Sequence, residues 1–262
     1  MVFLIFIIAG AVSGTMAGLL GIGGGLLFVP LMTAMLPHFG IPDSIVMHVA
    51  VATSLMIIVI TSLSSTWAHH RQGQILWQTV LNIIPGVVIG AIAGSLLAYV
   101  LPSDILKRVF SLFALIMAIK IFWSWEPGSA HHRLPKRPVL SIYGVIQGTL
   151  CALLGMGGGA ISVPFFRACN IAMPQAVSMS AALGFPMALT AAIFSMLTGL
   201  NEPGMPSWST GYVYWPAFLG LMPMSVIFAP WGAKLAYRLN TTLLSRIFSA
   251  MLLLVALSMW FD

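Results

Sequence analysis

Charge is what this sequence has least of. Eleven Lys and Arg and five Asp and Glu make up only 6% of the 262 residues, where an ordinary soluble domain carries about 25%. So few ionic groups do not keep a globule of this size in water, which excludes a soluble enzyme. Nucleic acid is excluded as a partner too, because the basic balance is a mere excess of +6 spread along an apolar chain. The two cysteines, Cys151 and Cys169, form no CxxC pair, so neither a disulfide framework nor a zinc cluster follows. All five Asp and Glu residues fall between apolar runs or at their ends, and the carboxylate relays of proton pumps have nothing to be built from. There is no nucleotide-binding loop, no nucleophile–base constellation and no cofactor motif. The chain reads as neither an enzyme nor a primary pump, and no cofactor or metal is expected.

What the chain has is apolar length. It is 60% hydrophobic, with a mean hydropathy of +1.03, and one membrane span needs about 20 apolar residues. Uncharged runs fall at about 2–36, 45–68, 75–101, 105–125, 139–166, 176–200, 212–233 and 243–261. The first lacks a basic leader, so it is expected to stay in the mature protein. At 1.5 Å per residue its 35 residues are too long for a single crossing. Its middle reads GLLGIGGGLLFVP, and glycine costs a helix about 1 kcal/mol relative to alanine. Two helical pieces joined by a non-helical link are expected, a break tolerated at membrane depth only where protein or a polar cavity covers the backbone.

The break occurs twice. GTMAGLLGIGGGLLFVP at 14–30 matches GTLCALLGMGGGAISVP at 148–164 with ten identities in seventeen positions, and Pro42, Met47, Trp77, Pro85 and Arg108 find counterparts in Pro174, Met179, Trp215, Pro223 and Arg246. The chain is therefore expected to be all-α and polytopic: a first transmembrane repeat (1–125), a basic cytoplasmic linker (126–138) and a second repeat (139–262), each of about four spans with a glycine-broken, re-entrant-like first segment. If the broken segments cross straight through, cations divide five against six between the two faces. If they fold back, Arg71, Lys120, Arg133, Lys136, Arg137, Arg167, Lys234, Arg238 and Arg246 share one face and only Lys107 and Arg108 the other. Positive charge gathers on the cytoplasmic side. The count favours inverted repeats in the inner membrane, with both termini outside.

Broken helices at corresponding repeat positions point to a transporter's binding site. Helix starts carry unpaired N–H groups and about half a positive charge, and glycine lets an anion approach them. The substrate-binding candidates are therefore Gly21, Gly23, Gly24 and Gly25 with Gly155, Gly157, Gly158 and Gly159. The other reading of these runs is close packing of helices, which is preferred for Gly10, Gly14, Gly18, Gly86, Gly90 and Gly94. The next segments add His48, Thr53 and Ser54 in half one and Ser180, Gly184 and Phe185 in half two, where a Gly-Phe-Pro step is expected to break the helix and expose amides. The alternatives are hydroxyls bonding back to their own helix and His48 as an interfacial side chain. Thr15 and Thr149 occupy equivalent positions, and Gln147 and Asn82 are further polar candidates. The pairs His69–His70 and His131–His132 read as solvated loop residues rather than metal ligands.

These motifs resemble the TauE/SafE family of sulfite-exporter-like permeases: GLLGIGGGLLFVPLM after a first helix, its second copy GMGGGAISVPFF, the ATS segment and the eight-run profile. The resemblance implies export of sulfite, a sulfonate or a related sulfur-containing anion. Expected partners are thus a small anionic substrate and the lipid bilayer. An inside-negative potential assists anion exit by about 2.3 kcal/mol per charge per 100 mV, so the potential or a coupled ion is the expected drive. Half two departs from the pattern with GFP for ATS and Ser180 opposite His48. The alternatives are a membrane scaffold whose glycines serve packing alone, and a carrier of another solute such as a metal ion, suggested by the His pairs and 17 Met.

Overall fold

The computed structural model describes residues 2–20, 25–123, 134–236 and 241–261. Gly21, Gly23 and Gly24, and the linker up to residue 133, lie outside the described residues. Among the described residues ten α-helices follow one another: α1 (Val2–Leu20), α2 (Gly25–Met35), α3 (Asp43–Arg71), α4 (Trp77–Val100), α5 (Ser103–Phe122), α6 (Arg137–Leu154), α7 (Gly159–Ala168), α8 (Met173–Thr198), α9 (Trp215–Ala236) and α10 (Thr241–Phe261). A 3₁₀ turn, Leu36–Phe39, links α2 to α3, and a small hairpin, β1 (Ser209–Thr210) with β2 (Val213–Tyr214), precedes α9. The chain is an all-α, multi-pass membrane protein. Among the described residues α3, α4, α6 and α8 are long and apolar enough to span a bilayer, with shorter apolar stretches in α1, α2, α9 and α10.

Proline and glycine set the boundaries. Pro42 and Pro102 precede α3 and α5, and Pro138 and Pro174 sit in the first turns of α6 and α8, where a missing N–H costs no helical bond. The repeat pairs Pro30 and Pro164 lie inside α2 and α7. Pro186 lies inside α8, which continues unbroken to Thr198. The break expected from Gly-Phe-Pro is therefore absent: a proline in a helix wedged among neighbours removes one hydrogen bond without ending it.

The interior is built on α3. Every residue from Ile45 to Leu55 is buried, the pattern of a helix enclosed on all sides. Leu81, Ile89, Ile116, Ile142 and Leu254, on the outer helices, are exposed and face the hydrocarbon. Glycine sets the tightest contacts. Gly86, Gly90 and Gly94 of α4 lie against the backbone of Ser141, Val145 and Thr149 of α6, and Gly144 and Gly148 answer from α6 against Ile83 and Val87. The paired numbers rise together, so α4 and α6 are parallel. Phe6, Gly10 and Gly14 of α1 pair in the same sense with Gly220, Leu221 and Ser225 of α9. Each half's first helix thus packs on the other half's fourth.

Ring contacts report how the broken segments turn. Phe6 near the start of α1 lies 5.1 Å from Phe39 beyond the end of α2. In half two, Tyr143 near the start of α6 stacks on Phe165 near the end of α7, with centroids 3.7 Å apart. Both broken segments fold back on themselves. The central helices α3 and α8 run antiparallel: Gly184 of α8 faces Ser62 late in α3. The hairpin, joined to the end of α8 through Tyr212 N–H and Ser195 O, rests on His48 and Thr53 early in α3.

Candidate functional site

The second glycine break is fully described, and its turn is set by one residue. Gly155 ends α6 in the left-handed conformation (φ +65°) and gives its N–H to Cys151 O, a C-terminal device that glycine adopts without Cβ strain. Met156 N–H bonds to the same carbonyl at 2.9 Å. The chain then re-enters a helix at Gly159. No side chain caps that start, and Gly158 O accepts from Ile161 and Ser162 N–H. The amides of Gly159 and Ala160 have no helical acceptor, as at any helix start, and they carry the positive end of the α7 dipole.

Unpaired polar side chains gather at this start. The position a Cβ would take on Gly158 lies 2.6 Å from Gln147 Nε2, 3.3 Å from Ser162 Oγ and 3.7 Å from Ser180 O. Gln147 and Ser162 are completely buried, and Gln147 Nε2, Gln147 Oε1 and Ser162 Oγ have no hydrogen-bond partner. Tyr143 joins them from one turn earlier in α6. Its hydroxyl faces Ser162 without closing a hydrogen bond, while its ring is fixed on Phe165. Leaving a buried polar group unpaired costs about 1–3 kcal/mol, and the membrane supplies no water to relieve it. Four such atoms gather around uncapped amides in a buried polar cradle. By repeat position Gln147, Ser162 and Tyr143 correspond to Ser13, Phe28 and Ala9, so the cradle belongs to half two alone.

Half one supplies the wall. Gly25, which starts α2, abuts the second break so closely that a Cβ there would lie 2.7 Å from Gly155 O and 2.9 Å from Gly157 N. The start of α2 therefore meets the second break. Ser54 Oγ donates to Gly155 O at 2.8 Å, and Thr53 Oγ1 accepts from Tyr214 N–H at 3.1 Å. Both hydroxyls tie separate elements together rather than bonding back to their own helix. His48 lies six residues earlier, about 9 Å along α3. It is buried: Nε2 lies 3.1 Å from Leu101 O and the ring stacks on Tyr212 at 5.1 Å. Tyr212 in turn donates to Glu202 Oε2 at 3.1 Å. Burial, then the Glu202 carboxylate, raises the Tyr212 phenol above its ordinary range.

The structure leaves other candidates apart from this cluster. Thr15 and Thr149 bond back to Ala11 O and Val145 O, at 2.7 and 2.8 Å. Gly184 marks the α3–α8 crossing and Phe185 packs on the core. His70 accepts from Trp77 Nε1–H at an exposed helix end, and among the described residues no three His, Cys, Asp or Glu side chains come together. Tyr143, Ser162, Tyr212, Tyr214 and Glu202 are the residues sequence reasoning missed. Their separation along the chain hid the first two. A legible signal did exist for the hairpin in the Thr-Gly-Tyr turn inside SWSTGYVYW, a glycine flanked by strand-forming residues.

A multi-pass helical bundle with a buried, unsatisfied polar centre between two glycine breaks is the architecture of a membrane transporter. The chain belongs to the family described as Sulfite exporter TauE/SafE, which matches residues 6–259. A probable membrane transporter protein of Haemophilus influenzae is 32% identical over 258 residues, covering 98% of this chain and 97% of that one. Another probable membrane transporter protein, from Methanocaldococcus jannaschii, is 31% identical over 237 residues, or 90% and 85% of the two chains. A third, YunE of Bacillus subtilis, is 23% identical over 100% and 98% of the two chains. No solved structure matches the chain.

Proposed function

We propose that this transporter moves a small oxyanion, sulfite or an organic sulfonate, outward across the inner membrane, with the cradle at the start of α7 as its binding site. The observation that carries the reading is the set of buried, unpartnered Gln147 and Ser162 atoms beside uncapped amides at Gly158. Such groups pair with something in a working protein. N–H and O–H donors at the positive end of a helix suit an anion, and the family's descriptive name supplies the sulfite. The membrane potential, or a coupled ion, drives export.

The repeats are inverted in this proposal. Supporting it, α4 ends at Leu101 beside His48 and the hairpin, whereas its counterpart α9 begins at the hairpin and runs away from it. The hairpin side is taken as the outside, with both termini there. A cytoplasm-only reporter fused after Asp262 should be inactive; activity would reverse the orientation. For the transport itself, purified protein in proteoliposomes should give saturable sulfite or methanesulfonate flux, and Gln147→Leu should reduce it by at least about tenfold, the loss expected when a charge-assisted hydrogen bond worth about 1.5–3 kcal/mol is removed. Linear, unsaturable leakage from the wild type would defeat the reading in favour of a scaffold.

A further inference from the structure

The cradle's composition bears on which anion it accepts. The polar groups that meet at it are neutral: the Gln147 amide, the Ser162 and Tyr143 hydroxyls, the Ser180 carbonyl and backbone N–H. Among the residues whose burial is described, no Lys, Arg, Asp or Glu is buried. The basic residue closest along the chain, Arg167, is exposed at the far end of α7, with its guanidinium bonded to Ile171 O at 3.4 Å. The positive field at the cradle is that of the α7 start, equivalent to roughly half a charge.

We infer that this site takes singly charged oxyanions and rejects dianions of the same size. The inference rests on the transport reading above and specifies the substrate class of that same site. The cost of drawing an ion out of water grows with the square of its charge, so a dianion costs about four times as much as a monoanion of equal radius. What a fixed set of neutral donors returns grows only in proportion to the charge. A buried cation would close that gap, and the cradle has none.

The acceptors act in the same direction. Whichever way the Gln147 amide is turned, it carries an acceptor oxygen as well as its NH2 donors, and Ser180 O looks onto the same spot. A fully deprotonated dianion brings only acceptor atoms to these oxygens. A hydrogen oxyanion brings one O–H for them, and a sulfonate turns an apolar substituent instead. The Tyr143 and Phe165 rings and buried Phe166 lie on the same fold-back and suit such a substituent.

The test is flux into proteoliposomes of labelled methanesulfonate and labelled sulfate, which share a tetrahedral shape and differ in charge, with sulfite followed across pH. Methanesulfonate should move at least about 100-fold faster than sulfate at equal concentration, as a neutral cradle requires. Sulfite flux should fall as pH rises through its second ionisation, where the monoanion disappears. Sulfate moving as fast as methanesulfonate, or sulfite flux that rises with pH, would overturn the charge selection while leaving the transport reading intact. Saturable movement of none of the three would overturn both.

Discussion

Gly90→Val is expected to leave little or no folded protein. The Cβ it introduces would collide with the carbonyl oxygen of Val145 and lie 2.9 Å from Thr149 N. These are backbone atoms of a neighbouring helix, which no rotamer change can move. Nor can α6 retreat as a body, because Gly86 and Gly94 hold the same distance one turn to either side, and Gly144 and Gly148 press back from α6. Without water to drive helices together, their association rests on close packing of small residues, and overpacking such a seam is among the few mechanisms that cost more than about 4 kcal/mol. Thermal unfolding in detergent, followed by size-exclusion, checks this. A melting temperature within a few degrees of wild type would contradict the parallel α4–α6 seam. Gly184→Ala is the control, since its Cβ would meet Ser62 Cβ at an ordinary 3.4 Å and should be tolerated.

Gly158→Ala is expected to do the reverse, keeping the fold and removing transport. The residue has φ −58° and ψ −14°, a conformation alanine adopts freely, and at a helix N-cap alanine is worse than glycine by about 1 kcal/mol or less. The closest atom the new methyl meets is Gln147 Nε2 at 2.6 Å, the end of a flexible side chain. The amide can swing aside, but the methyl then fills the cradle and the donor nearest the helix start is lost. Sulfite or methanesulfonate flux should fall at least about 100-fold, as when a preorganised donor is removed from a buried anion site, while the melting temperature stays within a few degrees of wild type. Full flux in a folded Gly158→Ala protein would move the site elsewhere.

Much of this architecture was legible in the residues. The glycine run followed by Pro164 foretold the break between α6 and α7, because of what glycine costs a helix and how long the apolar run is. The four-residue spacing of Gly86, Gly90 and Gly94 likewise foretold a close helix contact, though not its partner. The site was legible only in outline. Gln147 stood out as polar in an apolar run, but its meaning depends on Ser162, which reaches it only after Gly155 reverses the chain. Thr15 and Thr149, raised by repeat symmetry, satisfy themselves on the carbonyl four residues back, as a threonine inside a helix does. The hairpin residues Tyr212 and Tyr214 reach α3 through pairing across some 160 residues, a distance that no local pattern encodes.

Equilibrium binding of labelled methanesulfonate to the purified, detergent-solubilised protein, wild type beside Gln147→Leu, tests the central claim most directly. Saturable binding by the wild type, weakened at least about tenfold in a variant that melts normally, is the result predicted for an anion held at the start of α7. Equal binding by the two proteins would mean that the unpaired atoms around Gly158 hold no substrate.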